Sequence, residues 1–106
     1  MPVDFVLTRR AVDDLDEIWN YIAKDSQDAA NRVESAIFSA LYSLARHPLI
    51  GSKRSELTSL PVRFWPVTEF PNYIIVYRPE ARPLEVIAVL HGNREIGRLL
   101  GERGAF

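Results

Sequence analysis

Acid–base chemistry on a phosphate or a carboxyl group needs a titrating side chain and cations to hold the anion. In this chain residues of both kinds gather late. The stretch Arg63–Arg94 carries four arginines (Arg63, Arg78, Arg82 and Arg94) together with His91. An imidazole titrates near neutrality, so His91 is the first candidate for a general acid or base. Guanidinium forks grip phosphate or carboxylate through two parallel hydrogen bonds. Arg63 opens one apolar run, Arg78 closes the next, and Arg94 lies just beyond the last. If those runs pair as antiparallel strands, the three arginines and His91 are expected to converge at one end of a sheet. Each residue also has a plainer reading. His91 could close its strand by bonding to backbone or to a neighbouring tyrosine, and the arginines could form a solvated rim paired with Glu69, Glu80 or Glu95. On the residues alone both readings stand.

Other chemistry finds less support. His47 precedes Pro48 at an expected helix end, where a donor satisfies terminal carbonyls. Asp13, Asp14, Asp16 and Glu17 crowd one stretch of helix and read as a solvated face, not as metal ligands. Lys53 and Arg54 read as loop surface, and Trp19 and Trp65 as core or interface anchors. No H-x-x-x-H, G-x-x-x-x-G-K-[ST] or G-x-S-x-G occurs, which removes the simplest metalloprotease, NTPase and hydrolase readings. There are no cysteines, so neither a disulfide framework nor a thiolate metal site can form. No metal and no cofactor is expected.

The elements that must position these groups follow from periodicity. Residues 2–7 alternate Val3, Phe5 and Leu7 to one side and suit a first strand. Thr8 is a plausible helix N-cap, followed by Ala11, Leu15, Ile18 and Ile22 at helical spacing, with Val12 and Trp19 widening the stripe. Ser26 caps a second helix to about His47, whose stripe is Ala30, Val33, Ile37, Leu41 and Leu44. Alanines flank that stripe and let the two helices approach as an antiparallel hairpin. Three strands are then expected, over 62–70, 73–78 and 84–90, with turns at Pro71-Asn72 and Pro79–Pro83. Pro66 marks its strand as an edge or a bulge. Residues 95–102 suit a short last helix. The order is β-αα-βββ: an α+β fold in which a small, mostly antiparallel four-stranded sheet packs on a helical hairpin.

Two helices cannot cover such a sheet completely, so apolar surface around Val6, Trp19, Phe64 and Trp65 is expected to stay open to a partner. Residues 1–47 hold five Lys/Arg against eight Asp/Glu, and residues 48–106 hold eight against six, so the acidic half precedes a basic one. The whole-chain charge of −1 gives no reason to expect non-specific nucleic-acid binding. The length of 106 residues suits one domain, 1–106, able to bury roughly two thirds of its unfolded surface. No apolar run approaches the ~18–20 residues that span a bilayer, so no membrane partner is expected. M-P-V-D-F lacks the basic start of a signal peptide.

In order and spacing, A-V-D-D-L-D-E-I-W-N-Y-I, H-P-L-I-G-S-K-R, V-R-F-W-P-V, F-P-N-Y-I-I-V-Y-R and V-I-A-V-L-H-G-N-R-E-I resemble the RelE/ParE superfamily of bacterial type II toxins. The resemblance covers nearly the whole chain and agrees with the β-αα-βββ order. RelE-like members cleave messenger RNA on the ribosome, commonly with a tyrosine or histidine near the C-terminus. ParE-like members poison DNA gyrase by stabilising its cleaved DNA complex. The fourth strand here ends H-G-N-R, Gly92 follows His91, and no tyrosine follows Tyr77, which is similar to the ParE branch.

The resemblance therefore implies a cytoplasmic growth-inhibiting toxin, more a binder than an enzyme, that stabilises the plasmid or chromosome encoding it. Its implied partners are DNA gyrase and a cognate antitoxin, joined in a hetero-oligomer. The implied contact residues are Trp19, Phe64, Trp65, Arg63, Arg78, His91, Arg94 and Arg98, with the hairpin and residues 94–106 as contact regions. The alternative is a RelE-like endoribonuclease acting on ribosome-bound messenger RNA through Arg63, Arg78, His91 and Arg94. A third reading is an inert member that only binds its antitoxin.

Overall fold

Thr8 is where the first strand stops and the first helix starts, and its hydrogen bonds explain why. In the computed structural model, which describes residues 4–92 and 96–102, its backbone is extended and its hydroxyl accepts from the Ala11 N–H at 3.2 Å. Its own N–H donates to Val86 O at 3.0 Å, and the hydroxyl donates to Ile87 O at 3.4 Å. One residue thus caps helix α1 (Arg9–Ala23) and pins the end of strand β1 (Phe5–Leu7) to the middle of the sheet. Ser26 starts α2 (Gln27–Arg46) in the same way, accepting from Ala29 N–H at 3.1 Å. His47 closes α2 through its backbone N–H, which donates to Ser43 O at 2.9 Å, and its side chain is exposed.

The remaining strands are β2 (Arg63–Val67), β3 (Phe70–Arg78) and β4 (Leu84–His91), followed by α3 (Ile96–Glu102). The sheet order is β1-β4-β3-β2, with β1 parallel to β4 and the other pairs antiparallel. This is the expected α+β arrangement in the order β-αα-βββ. Pro66 lies on the edge strand β2, beside a register shift, where a missing N–H is tolerated. The expected turn at Pro71-Asn72 is corrected. The chain reverses at Thr68 and Glu69, and Phe70 to Asn72 belong to β3. Pro71 falls where the β2 ladder is interrupted between its Ile74 and Phe70 pairings, so it removes no bond from a regular ladder.

The hairpin stripe packs on one sheet face. Ala11, Leu15, Val33, Ile37, Leu41 and Leu44 meet Val67, Ile75, Tyr77, Val86 and Val89 in one core cluster. A second cluster occupies the other face, where Ile96 and Leu100 of α3 pack with Val62, Phe64, Val76, Ile87 and Leu90. Burial on both faces accounts for the nearly unbroken apolar run of β4. It also corrects the expectation of open apolar surface at Phe64, which is 2% exposed because α3 and the loop residues Leu57 and Leu60 cover that side. Val6, at 40% exposure on edge strand β1, does remain open. Among the described residues no helix is long and apolar enough to cross a membrane.

Candidate functional site

The start of β2, the end of β3 and the start of β4 meet at one end of the sheet, where Arg63 lies opposite Tyr77 and Arg78 opposite Glu85. Arg63 holds a loop. Its Nη1 donates to Gly51 O at 2.7 Å and to Leu49 O at 3.2 Å. Tyr77 holds the same loop from below: its fully buried side chain donates its O–H to Pro48 O at 2.7 Å and accepts from Gly51 N–H at 2.9 Å. Burial raises the Tyr77 phenol above its ordinary pKa, and the Gly51 bond and nearby Arg63 oppose that rise. Gly51 is needed for close approach, since a Cβ there would overlap the Tyr77 Oη and lie 2.9 Å from its ring. A two-bond bridge between Ser52 and Phe64 completes the attachment. Arg78 pairs with Glu85 at 3.2 Å, whereas Arg82 donates to Pro79 O and Ala81 O within its own turn. Lys53 is exposed, and Arg54 is paired with Glu56 at 2.6 Å.

His91 stands at the opposite end. It pairs with Tyr73 across β3 and β4, and the two rings meet edge to face with centroids 5.5 Å apart. Burial, then the neighbouring Tyr21, raises the Tyr73 phenol. Both rings line a groove of about 550 Å³ between α1 and the end of β4, with Glu17, Ile18 and Lys24 on the helix side. Asp14 does structural work here. β1 stops opposite Val86, and Asp14 Oδ2 then accepts from the Val89 N–H at 3.0 Å in place of a neighbouring strand. Its position signals this, because Asp14 falls three residues after Ala11 and four before Ile18, within the buried stripe.

The expected convergence of His91 with Arg63 and Arg78 is therefore corrected. An antiparallel fourth strand begins at the arginine end and finishes at the far one. From Glu85, opposite Arg78, to His91 is six strand residues, a separation of about 20 Å. Arg94 lies outside the described residues. Arg98 sits on α3 and faces Glu102 at 3.9 Å. Trp19 is half-buried and donates its indole N–H to Asn31 Oδ1 at 2.9 Å, linking the two hairpin helices. Trp65 is half-buried against the first core cluster. The structure thus brings together Arg63, Arg78 and Tyr77 at one end, and His91, Tyr73 and Tyr21 at the other.

Comparison with known proteins agrees with this architecture. A family model described as the ParE toxin of the type II toxin–antitoxin system parDE matches residues 5–96. A Sinorhizobium fredii protein named "Putative toxin Y4kP" is 38% identical over 93 residues, which is 88% of this chain and 92% of that protein. A solved chain of the chromosomal ParDE TA system from P. aeruginosa has a TM-score of 0.66 at 19% identity, covering 82% of this chain and 92% of that one. At that identity the solved structure speaks to fold alone.

Proposed function

The chain belongs to the ParE toxin family of type II toxin–antitoxin systems, and on that premise we propose that it arrests growth by docking onto DNA gyrase. A cognate antitoxin restrains it, and the site of action is the cytoplasm. One observation carries the preference for binding over bond breaking: His91 and the arginine pair Arg63–Arg78 lie at opposite ends of the sheet. Cleaving a phosphodiester by acid–base catalysis requires a titrating group within hydrogen-bond reach of the phosphate that the cations hold. Arg78 is paired with Glu85, and two Arg63 bonds go to loop carbonyls. Tyr77, the phenol nearest them, is buried and bonded on both sides. The distance between His91 and the Arg63–Arg78 pair supports binding over the RelE-like alternative.

A binding protein needs exposed surface with chemical character, and the hairpin supplies it. Tyr21, at 72% exposure, rises from α1 among Asp14, Glu17 and Lys24 at the mouth of the 550 Å³ groove. Aromatic side chains in a setting of this kind make effective interface anchors. We assign gyrase to this face. The antitoxin has a separate opening: β1 is a three-residue edge strand with Val6 exposed, beside the aromatic cluster of Phe5, Phe38 and Tyr42. An extended peptide can add to such an edge and bury that surface.

Expression without antitoxin in cells carrying a DNA-damage reporter tests the reading. Gyrase poisoning induces the reporter before protein synthesis falls, whereas immediate translational arrest with a silent reporter overturns it.

A further inference from the structure

We propose that the cavity beside Arg63 is a receptor for one carboxylate of an acidic, partly apolar peptide segment. The proposal does not depend on gyrase being the target. It starts from an unfinished set of hydrogen bonds. Among the described residues, Arg63 spends Nη1 on two loop carbonyls, its Nε is buried with no acceptor, and Nη2 has no protein acceptor. Among the described residues no carboxylate forms an ion pair with it, although Arg54, Arg78 and Arg98 each have one. A partly buried guanidinium whose hydrogen bonds go only to carbonyl dipoles lacks the paired counter-ion that such a charge ordinarily acquires.

The space for that counter-ion adjoins it. A cavity of about 310 Å³ lies between the 53–62 loop and the turn after β3, and Arg63 lines it. Exposed Lys53 adds a second cation, while Arg54 is already neutralised by Glu56. Thr58 and Ser59 contribute hydroxyls. Leu60, Pro61, Val62 and Pro79 make an apolar part of the wall, with Leu49 standing 64% exposed as a lip.

This lining selects between anions. Glu80 lines the same cavity, so a dianionic phosphate would face a carboxylate as well as the cations. A nucleic-acid backbone would also bring hydrophilic sugar and further phosphates against Leu49 and Leu60. A glutamate or aspartate carries one charge and can have leucine-like neighbours on either side. Its oxygens would take the free Nη2 donors in charge-assisted hydrogen bonds, with Lys53 alongside.

The test is an NMR titration of the isolated toxin with a blocked Leu-Glu-Leu peptide, its Leu-Gln-Leu counterpart, inorganic phosphate and a short single-stranded DNA. Saturable shifts at Gly51, Ser52 and the Arg63 Nε–H are expected with Leu-Glu-Leu. Loss of charge in the glutamine peptide should weaken binding about tenfold, the difference between a charged and a neutral hydrogen-bond acceptor. Arg63→Lys tests the fork. Because Arg63 also holds the loop, Lys53→Ala provides a variant whose fold is not at stake, with binding expected to weaken about threefold. Equal affinity for the two peptides, shifts confined to other residues, no binding, or binding of phosphate or DNA in preference to Leu-Glu-Leu would each overturn the proposal.

Discussion

Replacing Tyr77 by phenylalanine removes one oxygen and leaves the ring in place, which isolates the attachment of the 48–52 loop to the sheet. Two partners lose their bond. Gly51 N–H is left without its acceptor in a buried setting, and Pro48 O loses a donor in a partly buried one. An orphaned buried polar group costs ~1–3 kcal/mol, so about 2 kcal/mol for the amide and about 1 kcal/mol for the carbonyl gives a loss near 3 kcal/mol. With ~2.1 cal/mol/K of unfolding entropy per residue over 106 residues, that lowers Tm by roughly 13 °C. Circular-dichroism melts at pH 7 measure the shift directly. Alkaline pH supplies a second signature. Burial raises the folded-state phenol, so the unfolded chain loses its proton first, near its ordinary value of ~10. The stabilisation is therefore whole below that pH and declines as pH rises through the folded-state value. Tyr77→Phe has no such proton, so the gap between variant and parent should narrow above pH ~10. A Tm change under about 3 °C, with a gap that stays constant into alkali, would refute the reasoning.

Three further outcomes are expected. Asp14→Ala strips Val89 N–H of its acceptor and should cost ~1–3 kcal/mol with faster amide exchange at Val89, while Asp14→Asn, which keeps a carbonyl oxygen, should retain much of the protection. Ser26→Ala removes the cap of α2 and should cost about 1 kcal/mol by denaturant unfolding. The Arg78–Glu85 pair is partly exposed, so a double-mutant cycle should find no more than about 1 kcal/mol of coupling.

The helices were the most legible part of the chain, because a 3.6-residue stripe and a capping hydroxyl are local signals. Thr8 and Ser26 both cap as their positions imply, and the five-residue stripe of α2 is buried throughout. The errors arose where distant segments decide. Whether His91 meets Arg63 depends on which way β4 runs, and its antiparallel pairing with β3 puts them at opposite ends. Phe64 is closed off by α3, which packs on the face it occupies from more than thirty residues away. Asp14 resembled its exposed acidic neighbours, yet the backbone amide it bonds lies seventy-five residues away. Arg63 was legible as a cation of interest, but its loop-holding role and unused donors depend on residues 48–51 folding back over the sheet end.

Purified toxin added to DNA gyrase in a supercoiling reaction, with ribosome-bound messenger RNA assayed in parallel, tests the central claim most directly. The proposed function predicts loss of supercoiling, accumulation of gyrase-cleaved DNA and reversal by the cognate antitoxin, and the separation of His91 from the Arg63–Arg78 pair predicts intact RNA. Undisturbed supercoiling at large toxin excess, together with cut messenger RNA, would contradict it.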